Sequence, residues 1–582
     1  MVEAPVPVIH RLESEGDGHH TLVRNDLPPG TLYWFRDPDG HLRPDPASRS
    51  QPQGVHGPSR VVELPPPSLP EGWGPSIPWE DWVIQEIHVG TFTPEGTLDA
   101  AVGPLSGLRS IGINAVELMP VHQFAGARNW GYDAVGLWAV QNTYGGPEGL
   151  RRFVEGAHAS GMAVILDVIY NHVGPEGNYL AELGPYFSDR YRVPWGQTWN
   201  LDGPDSDAVR EYLVENAGYW ASAFGVDALR LDAVHALFDM SPVHIVAEIG
   251  QRLRRDPATR RCRVIAESDL NDPRVVRPPA RGGWGCDAQW ADDFHHALHA
   301  VLTGEKGGYY QDFGKLASLA RAHRTPFVYA GQYSAYRRRR HGASARGLPP
   351  HRFVVCGQNH DQVGNRPAGD RWAGHLDPEL VKVGLGLVLL SPYIPLVFMG
   401  EEYGEENPFL FFTDFSDPAV VAATRKGREE ELRAWGSPGP FPDPQDPRTF
   451  EKSRLDRSRA QGPSGLQRQA YVRELLDLRR RGGPTFRRYP QSVRASERSR
   501  ILTIRRPYSS GWIWEIAALT FGPKELRLPG LRESFDCLLD SRESRWGGPS
   551  PSEPPSLGAS PDTLRVVGPG LWLIQPSREG VR

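Results

Sequence analysis

AVILDVIYN (residues 163–171) and ALRLDAV (228–234) are short apolar runs, and DAVREYLVENAGYWASAFG (207–225) lies between them with the length and spacing of a helix. A buried strand, a helix and a second buried strand make a βαβ unit, the building block of a parallel sheet. Outward from this unit the same texture repeats. Further strand candidates are VIQEIHV (83–89), AVELMPV (115–121), RVIAES (263–268), AQWADDF (288–294), RFVVCGQNHD (352–361) and PLVFMGEE (395–402). Helical patterns such as PEGLRRFVEGAHASG, SPVHIVAEIGQRLRR and PELVKVGLGLVLL fall between most of them and close near Gly or Pro. Eight strands with crossover helices in about 320 residues predict an α/β fold, a (β/α)8 TIM barrel. The open doubly wound sheet is the alternative, but no GxGxxG follows the first strand.

The flanks read differently. Residues 1–75 are expected to hold an N-terminal β domain, sandwich-like but reduced to about 60 residues, and the start of the Pro-rich linker VVELPPPSLPEGWGPSIPWEDW. The barrel is expected over 76–485, with an insertion at about 173–206 that is long for a βα loop. Residues 486–582 alternate as SRILTIRR, WIWEIAALTF, ELRLP and LRVVGPGLWLIQP, an expected antiparallel β domain. The uncharged stretch Val383–Gly400 is broken by Pro392 and Pro395, so it reads as a buried helix then a buried strand, not a membrane span.

Composition narrows the function classes. The net charge is −5, which gives no electrostatic case for nucleic acid. Glycine (63) and proline (55) are abundant but without period, so collagen and solenoid readings fail. Four cysteines, 262, 286, 356 and 537, form no CxxC pair, so a zinc knot is not expected. Sparse cysteine and no secretory signal at the N-terminus fit a cytoplasmic protein. The 17 Trp, 19 Tyr and 21 Phe are core material or flat faces for sugar rings.

In a barrel, reactive groups belong at the carboxyl ends of the strands. There the sequence carries Asp167, Asn171 and His172, then Arg230 and Asp232, then Glu267, then His360 and Asp361. Arg230 and Asp232 are two apart and so face the same side. Three carboxylates on one face repel each other, a cost that a reaction explains better than an ion pair does. Paired carboxylates are what glycoside cleavage needs: one ionised nucleophile, one acid with a raised pKa.

DVIYNHV, GVDALRLDAVHAL, RVIAES and VVCGQNHDQ resemble the four signature regions of the α-amylase superfamily of glycoside hydrolases. The resemblance implies Asp232 as nucleophile, Glu267 as general acid/base and Asp361 as the third carboxylate. It also implies that Arg230, His172 and His360 position the nucleophile and bind sugar, with Asp167 as partner of the arginine. EIHVGTFTPEGTLDAA, NWGYDAVGLWAVQNTYGGPEGLRRFV, DDFHHALHAVLTGE, QNHDQVGNR and MGEEYGEENPFLFFTDF narrow the likeness to the maltooligosyltrehalose trehalohydrolases, over about residues 30–480. That likeness implies hydrolysis next to a terminal trehalose unit, with maltooligosyltrehalose as substrate, a synthase as metabolic partner, and no cofactor or metal. Branching enzymes share the architecture and are the nearest competitor.

Secondary candidates follow. Trp130 and Tyr132 either stack on a glucose or pack within their loop. Asp292, Asp293, Phe294, His295 and His296, read as the end of the sixth strand, either face substrate or form a satisfied polar loop. His235 is expected near the leaving-group side, and Gln362 and Asn365 beside the third carboxylate. Glu401, Glu402 and Tyr403 are candidates for a wall that selects the trehalose end. Asn171, Glu176 and Asp202 are oxygens that calcium would favour, but no metal is expected.

Overall fold

The computed structural model describes residues 2–3, 8–16, 19–37, 39–63, 74–434, 436, 439–508, 511–529, 531, 534–549, 554–558 and 562–577. Residues 64–73 of the expected Pro-rich linker lie outside them. Eight parallel strands close into a barrel: β1 (Ile84–Ile87), β2 (Ala115–Leu118), β3 (Ala163–Val168), β4 (Ala228–Leu231), β5 (Arg263–Ala266), β6 (Ala288–Trp290), β7 (Phe353–Cys356) and β8 (Ile394–Phe398). Each pairs with the next, and β8 pairs with β1. Every observed strand ends before its sequence candidate does, because the residues that close each candidate already belong to loops or helices.

The period of two decides what faces inward. Ala115, Ala163, Ala228 and Ala288 join Ile84, Ile165, Ile265, Ile394 and Leu396 in one core inside the barrel, closed off by Trp79 and Trp82. Small and branched residues alternate because a narrow barrel has room for little else. Continuing the same alternation brings Glu86, Glu117, Asp167, Arg230 and Asp232 to the interior of the carboxyl end. The sequence thus spends its apolar residues on the lower layers and its charges on the top one.

Crossover helices include Gly146–Ala159, Ser206–Phe224, Ile245–Arg255, Asp292–Thr303 and Pro378–Leu389. The last is capped by Asp377, whose side chain accepts from Glu379 N–H, with Pro378 at the first turn. The 383–400 stretch is accordingly helix then strand β8. The 173–206 insertion is a short helix, Leu180–Leu183, and a hairpin of Phe187–Val193 with Gly196–Trp199. The region after β8 contains the helices Pro418–Ala434 and Pro463–Gly482.

The C-terminal antiparallel sheet runs β9 (Ser492–Ser496), β10 (Ile501–Tyr508), β11 (Gly511–Arg527), β13 (Thr563–Pro576), β12 (Phe535–Asp540). WIWEIAALTF and ELRLP form one strand, β11, with a register shift between Ala518 and Gly522 where a break was expected. One face of the sheet builds its own core around Trp514, Ile516 and Trp572. The other packs on the barrel: a Cβ added at Gly386 would sit 2.1 Å from Leu571 Cδ2, so glycine sets that approach. The N-terminal part is made of short strands, including Leu32–Tyr33, Phe35–Arg36, Leu42–Arg43 and Ser59–Arg60.

Candidate active site

Arg230 organises the carboxyl end of the barrel. Its side chain is 0% exposed. One amino group, Nη1, donates to Asp167 Oδ1 and Oδ2 at 2.9 and 2.8 Å, and to Asp232 Oδ1 at 2.5 Å. The other, Nη2, lies 3.5 Å from Glu267 Oε2. The guanidinium lies over the Trp290 ring, 4.4 Å from its centroid. One cation therefore touches three carboxylates from three neighbouring strands. The other Asp232 oxygen accepts from Asn171 Nδ2 at 2.6 Å, and the His172 ring bonds to Asn171 Oδ1. Glu267 Oε2 accepts the backbone N–H of Ala233 at 2.6 Å. Ala233 has φ 39°, in the left-handed region, a strained geometry for alanine held where the backbone turns from Asp232 toward Glu267.

These contacts separate the two acids. Burial disfavours the Asp232 carboxylate, but Arg230, His172 and the bonds from Asn171 and Arg230 outweigh it and hold its pKa below the ordinary range. Burial raises Glu267, the charge of Asp232 adds to that, and Arg230 offsets only part. One group is kept ionised and its neighbour is kept as an acid, a division of labour that two carboxyls in equivalent surroundings cannot provide.

Asp361 and His360 do not end β7 as expected. The strand stops at Cys356, and both residues open the helix His360–Gly364, capped by Asn359. The side chain of Asp361 is 40% exposed at the cleft, 3.5 Å from His360 Nε2. Asn365 Nδ2 donates to Asp361 Oδ1 at 3.1 Å, and Gln362 accepts from the Tyr309 hydroxyl at 2.9 Å. Tyr132 donates to Asp167 Oδ2 at 2.6 Å and stacks on His360. Gly131 makes this possible: its φ is 106°, and a Cβ there would lie 2.2 Å from the Pro120 carbonyl oxygen.

Several expected contacts are corrected. Asp292–His296 do not end β6; they form the first turns of the helix Asp292–Thr303, so successive side chains point about 100° apart. Asp292 is half-buried among the charges of Glu267 and Asp361, which together with burial push it well up. Asp293 turns away and accepts from Asn271 Nδ2, Val328 N–H and Tyr329 N–H at 2.8, 2.7 and 2.9 Å. Phe294 is core, against His323 and Tyr393. His295 is buried between the Gly357 carbonyl and the Tyr310 hydroxyl. His296 is buried beside Tyr309, ring centroids 4.2 Å apart. Trp130 is buried behind His360, stacked on Phe409, and its Nε1 donates to Leu410 O, so loop packing wins over sugar contact. Glu401, Glu402 and Tyr403 are likewise buried, bonded to Gln358, Gln85 and Glu405.

His235 is half-buried, with Nε2 3.8 Å from Asp269 Oδ1. The insertion brings Trp195 to the site: it is 50% exposed and stacked on His172 at 5.3 Å. The oxygens considered for calcium are engaged separately. Glu176 accepts from Ser416 and Asp417 N–H, and Asp202 from the Tyr191 hydroxyl and Met240 N–H. Among the described residues no group of three or more His, Cys, Asp or Glu is arranged to hold a metal, and no helix is long and apolar enough to cross a membrane. Sequence reasoning missed Glu86, Glu117 and Trp290. A carboxylate inside an apolar strand, as in VIQEIHV and AVELMPV, is the signal that marks the first two.

Comparison with known proteins agrees with this geometry. The family described as alpha amylase, catalytic domain, matches residues 44–192. The malto-oligosyltrehalose trehalohydrolase of Saccharolobus solfataricus is 49% identical over 77% of this chain and 78% of its own length. That of Rhizobium sp. is 46% identical over 77% and 76%. A crystal structure of a putative alpha amylase from Salmonella typhimurium superimposes with a TM-score of 0.86 at 37% identity, covering 97% of this chain and 93% of that one. Barrel, carboxylate cluster and relatives together define a glycoside hydrolase of the α-amylase type. Within that class, the chain belongs to the malto-oligosyltrehalose trehalohydrolase family.

Proposed function

We propose that the enzyme cleaves the α-1,4 bond next to the terminal trehalose unit of maltooligosyltrehalose, with retention of configuration. The observation that carries the mechanism is the single guanidinium of Arg230 shared by an ionised Asp232 and a proton-bearing Glu267. An Asp232 oxygen attacks the anomeric carbon while Glu267 gives its proton to the glycosidic oxygen, and trehalose leaves. Glu267, now a carboxylate, takes a proton from water, and the oxygen of that water displaces Asp232. The second product is a shortened maltooligosaccharide. Asp361, His360 and His172 hold the sugar at the cleavage point, with Tyr132, Gln362 and Asn365 supporting them. Asp292 and His235 line the leaving side. A synthase that builds the trehalosyl end supplies the substrate, and the cytoplasm is the compartment.

The test is product analysis on maltotriosyltrehalose and on maltopentaose. Free trehalose from the first, faster than any product from the second, supports the reading. New α-1,6 branches without free trehalose would make the protein a branching enzyme.

Asp292 and Asp293 are adjacent, and their alanine variants are expected to behave oppositely. Asp293→Ala leaves two backbone N–H groups and Asn271 without their acceptor, and lowers stability by about 2–4 kcal/mol in urea unfolding. Asp292→Ala removes a carboxyl from among like charges. It leaves the unfolding midpoint unchanged or higher, and lowers kcat/KM on the capped substrate about 10–100-fold. If Asp292→Ala has normal kcat/KM, Asp292 does not read the substrate.

A further inference from the structure

Glu86 lies on β1, in the inward register with Ile84, and its side chain is almost fully buried. Both of its oxygens are committed to one residue on the far side of the sequence. Oε2 accepts the backbone N–H of His360 at 2.7 Å, and Oε1 accepts from the His360 ring Nδ1 at 2.6 Å. The ring has no freedom to turn. It stacks on Tyr132 at 5.0 Å and meets the Trp130 ring edge-on at 5.8 Å. Its second nitrogen, Nε2, faces Asp361 at the cleft.

A carboxylate that accepts from Nδ1 keeps a proton on that nitrogen. The state of Nε2 then depends only on the charge of the ring: a donor in the imidazolium, an acceptor in the neutral form. We propose that Glu86 is a positioning residue of the reaction, holding His360 as an imidazolium so that Nε2 presents a proton to the bound sugar and to Asp361. The proposal rests on the reading of His360 as a sugar-binding residue.

The charges around His360 favour this state. Glu86 on β1 and Asp361 on its own helix stabilise the cation, while Arg230 on β4 opposes it. Asp167 on β3 and His88 after β1 also sense its charge. Glu117 on β2 does too, but burial pushes its carboxyl well up, and neither of its oxygens has a hydrogen-bond partner among the described residues. Burial thus favours the neutral form of Glu117, and Glu86, bonded through both oxygens to His360, is the carboxyl group paired with the ring. Burial alone would lower His360; Glu86 and Asp361 overcome it and raise it to about 10.

Glu86→Gln preserves the shape and removes the charge. In the full chain, kcat/KM on maltooligosyltrehalose is measured from pH 5 to 9. The variant is expected to gain a falling limb near pH 6.5, where an unassisted histidine titrates. Its loss should be under about 5-fold at pH 5 and at least about 30-fold at pH 8, because acid restores the imidazolium that Glu86 otherwise maintains. A uniform loss across the range, or none, overturns the proposal. Histidine ring NMR gives an independent reading, with the His360 signal assigned by its absence from His360→Asn. In the wild type the signal should stay in the protonated position through pH 9, a measurement that stands even if Glu86→Gln folds poorly. Titration of the wild-type signal below pH 8, or an unshifted titration in Glu86→Gln, overturns the role of Glu86 alone. A shifted titration with unchanged kinetics overturns the sugar-binding reading of His360, and the proposal with it.

Discussion

Asp232→Ala lowers kcat/KM on maltooligosyltrehalose by at least about 10⁴, equivalent to about 5.4 kcal/mol of transition-state stabilisation. The size follows from what the side chain does in the proposed route. It supplies the covalent bond that replaces the glycosidic one, and no neighbour can take its place. Asp167 is locked on Arg230 through both oxygens, and Glu267 is held by Ala233 N–H. Substrate binding should persist, since the sugar contacts proposed for Asp361 and His360 do not pass through Asp232. The measurement is single-turnover release of trehalose alongside equilibrium binding. Retention of a tenth of the activity would remove Asp232 from the role of nucleophile. Removal of the carboxylate also leaves Arg230 with less compensation, so binding and folding must be checked in the same preparation.

The barrel was legible because its strands are buried on both faces and its helices are amphipathic, two patterns that differ in length and period. The catalytic layer was legible for the same reason: Arg230 and Asp232 continue the inward alternation begun by Ala228. Positions just past the strands were less legible. AQWADDF reads as one extended run, yet Asp292 and Asp293 stand in the first turn of a helix, where acidic residues offset the exposed N–H groups. That feature could have ended β6 at Trp290 and assigned only part of the segment to the cleft. Trp130 illustrates a different limit. An aromatic at a strand end suits a sugar and a hydrophobic core equally, and only the position of Phe409, far along the chain, decides between them. The Glu86–His360 pair spans 274 residues, so no local pattern could join its members. In β11 the irregularity between Ala518 and Gly522 looks like a turn in sequence, whereas pairing with β13 carries the strand through it.

Glu267→Gln is expected to lower kcat/KM by at least about 10³ while making the folded protein more resistant to unfolding at neutral pH. Both effects have one origin. The folded-state pKa of Glu267 is raised, chiefly by burial and then by Asp232. The raised value keeps the proton available to the leaving oxygen at a pH where an exposed glutamate would already have lost it. The wild-type activity profile should therefore fall on its alkaline side as Glu267 ionises, and on its acid side as Asp232, whose pKa is lowered, takes up a proton. The stability sign runs with the same shift. Below the unfolded pKa of about 4.3, Glu267 is protonated in both states and costs nothing. As pH rises through the folded value, the unfolded chain gains from ionisation that the buried site resists, and stability is lost. Glutamine has no proton to lose, so the gain of Glu267→Gln over wild type should be absent near pH 4 and grow toward neutrality. Urea midpoints at pH 4 and pH 7.5 test this directly. An advantage of equal size at both pH values would trace the stabilisation to packing, and would leave the raised pKa of Glu267, and with it the acid's readiness at neutral pH, without support.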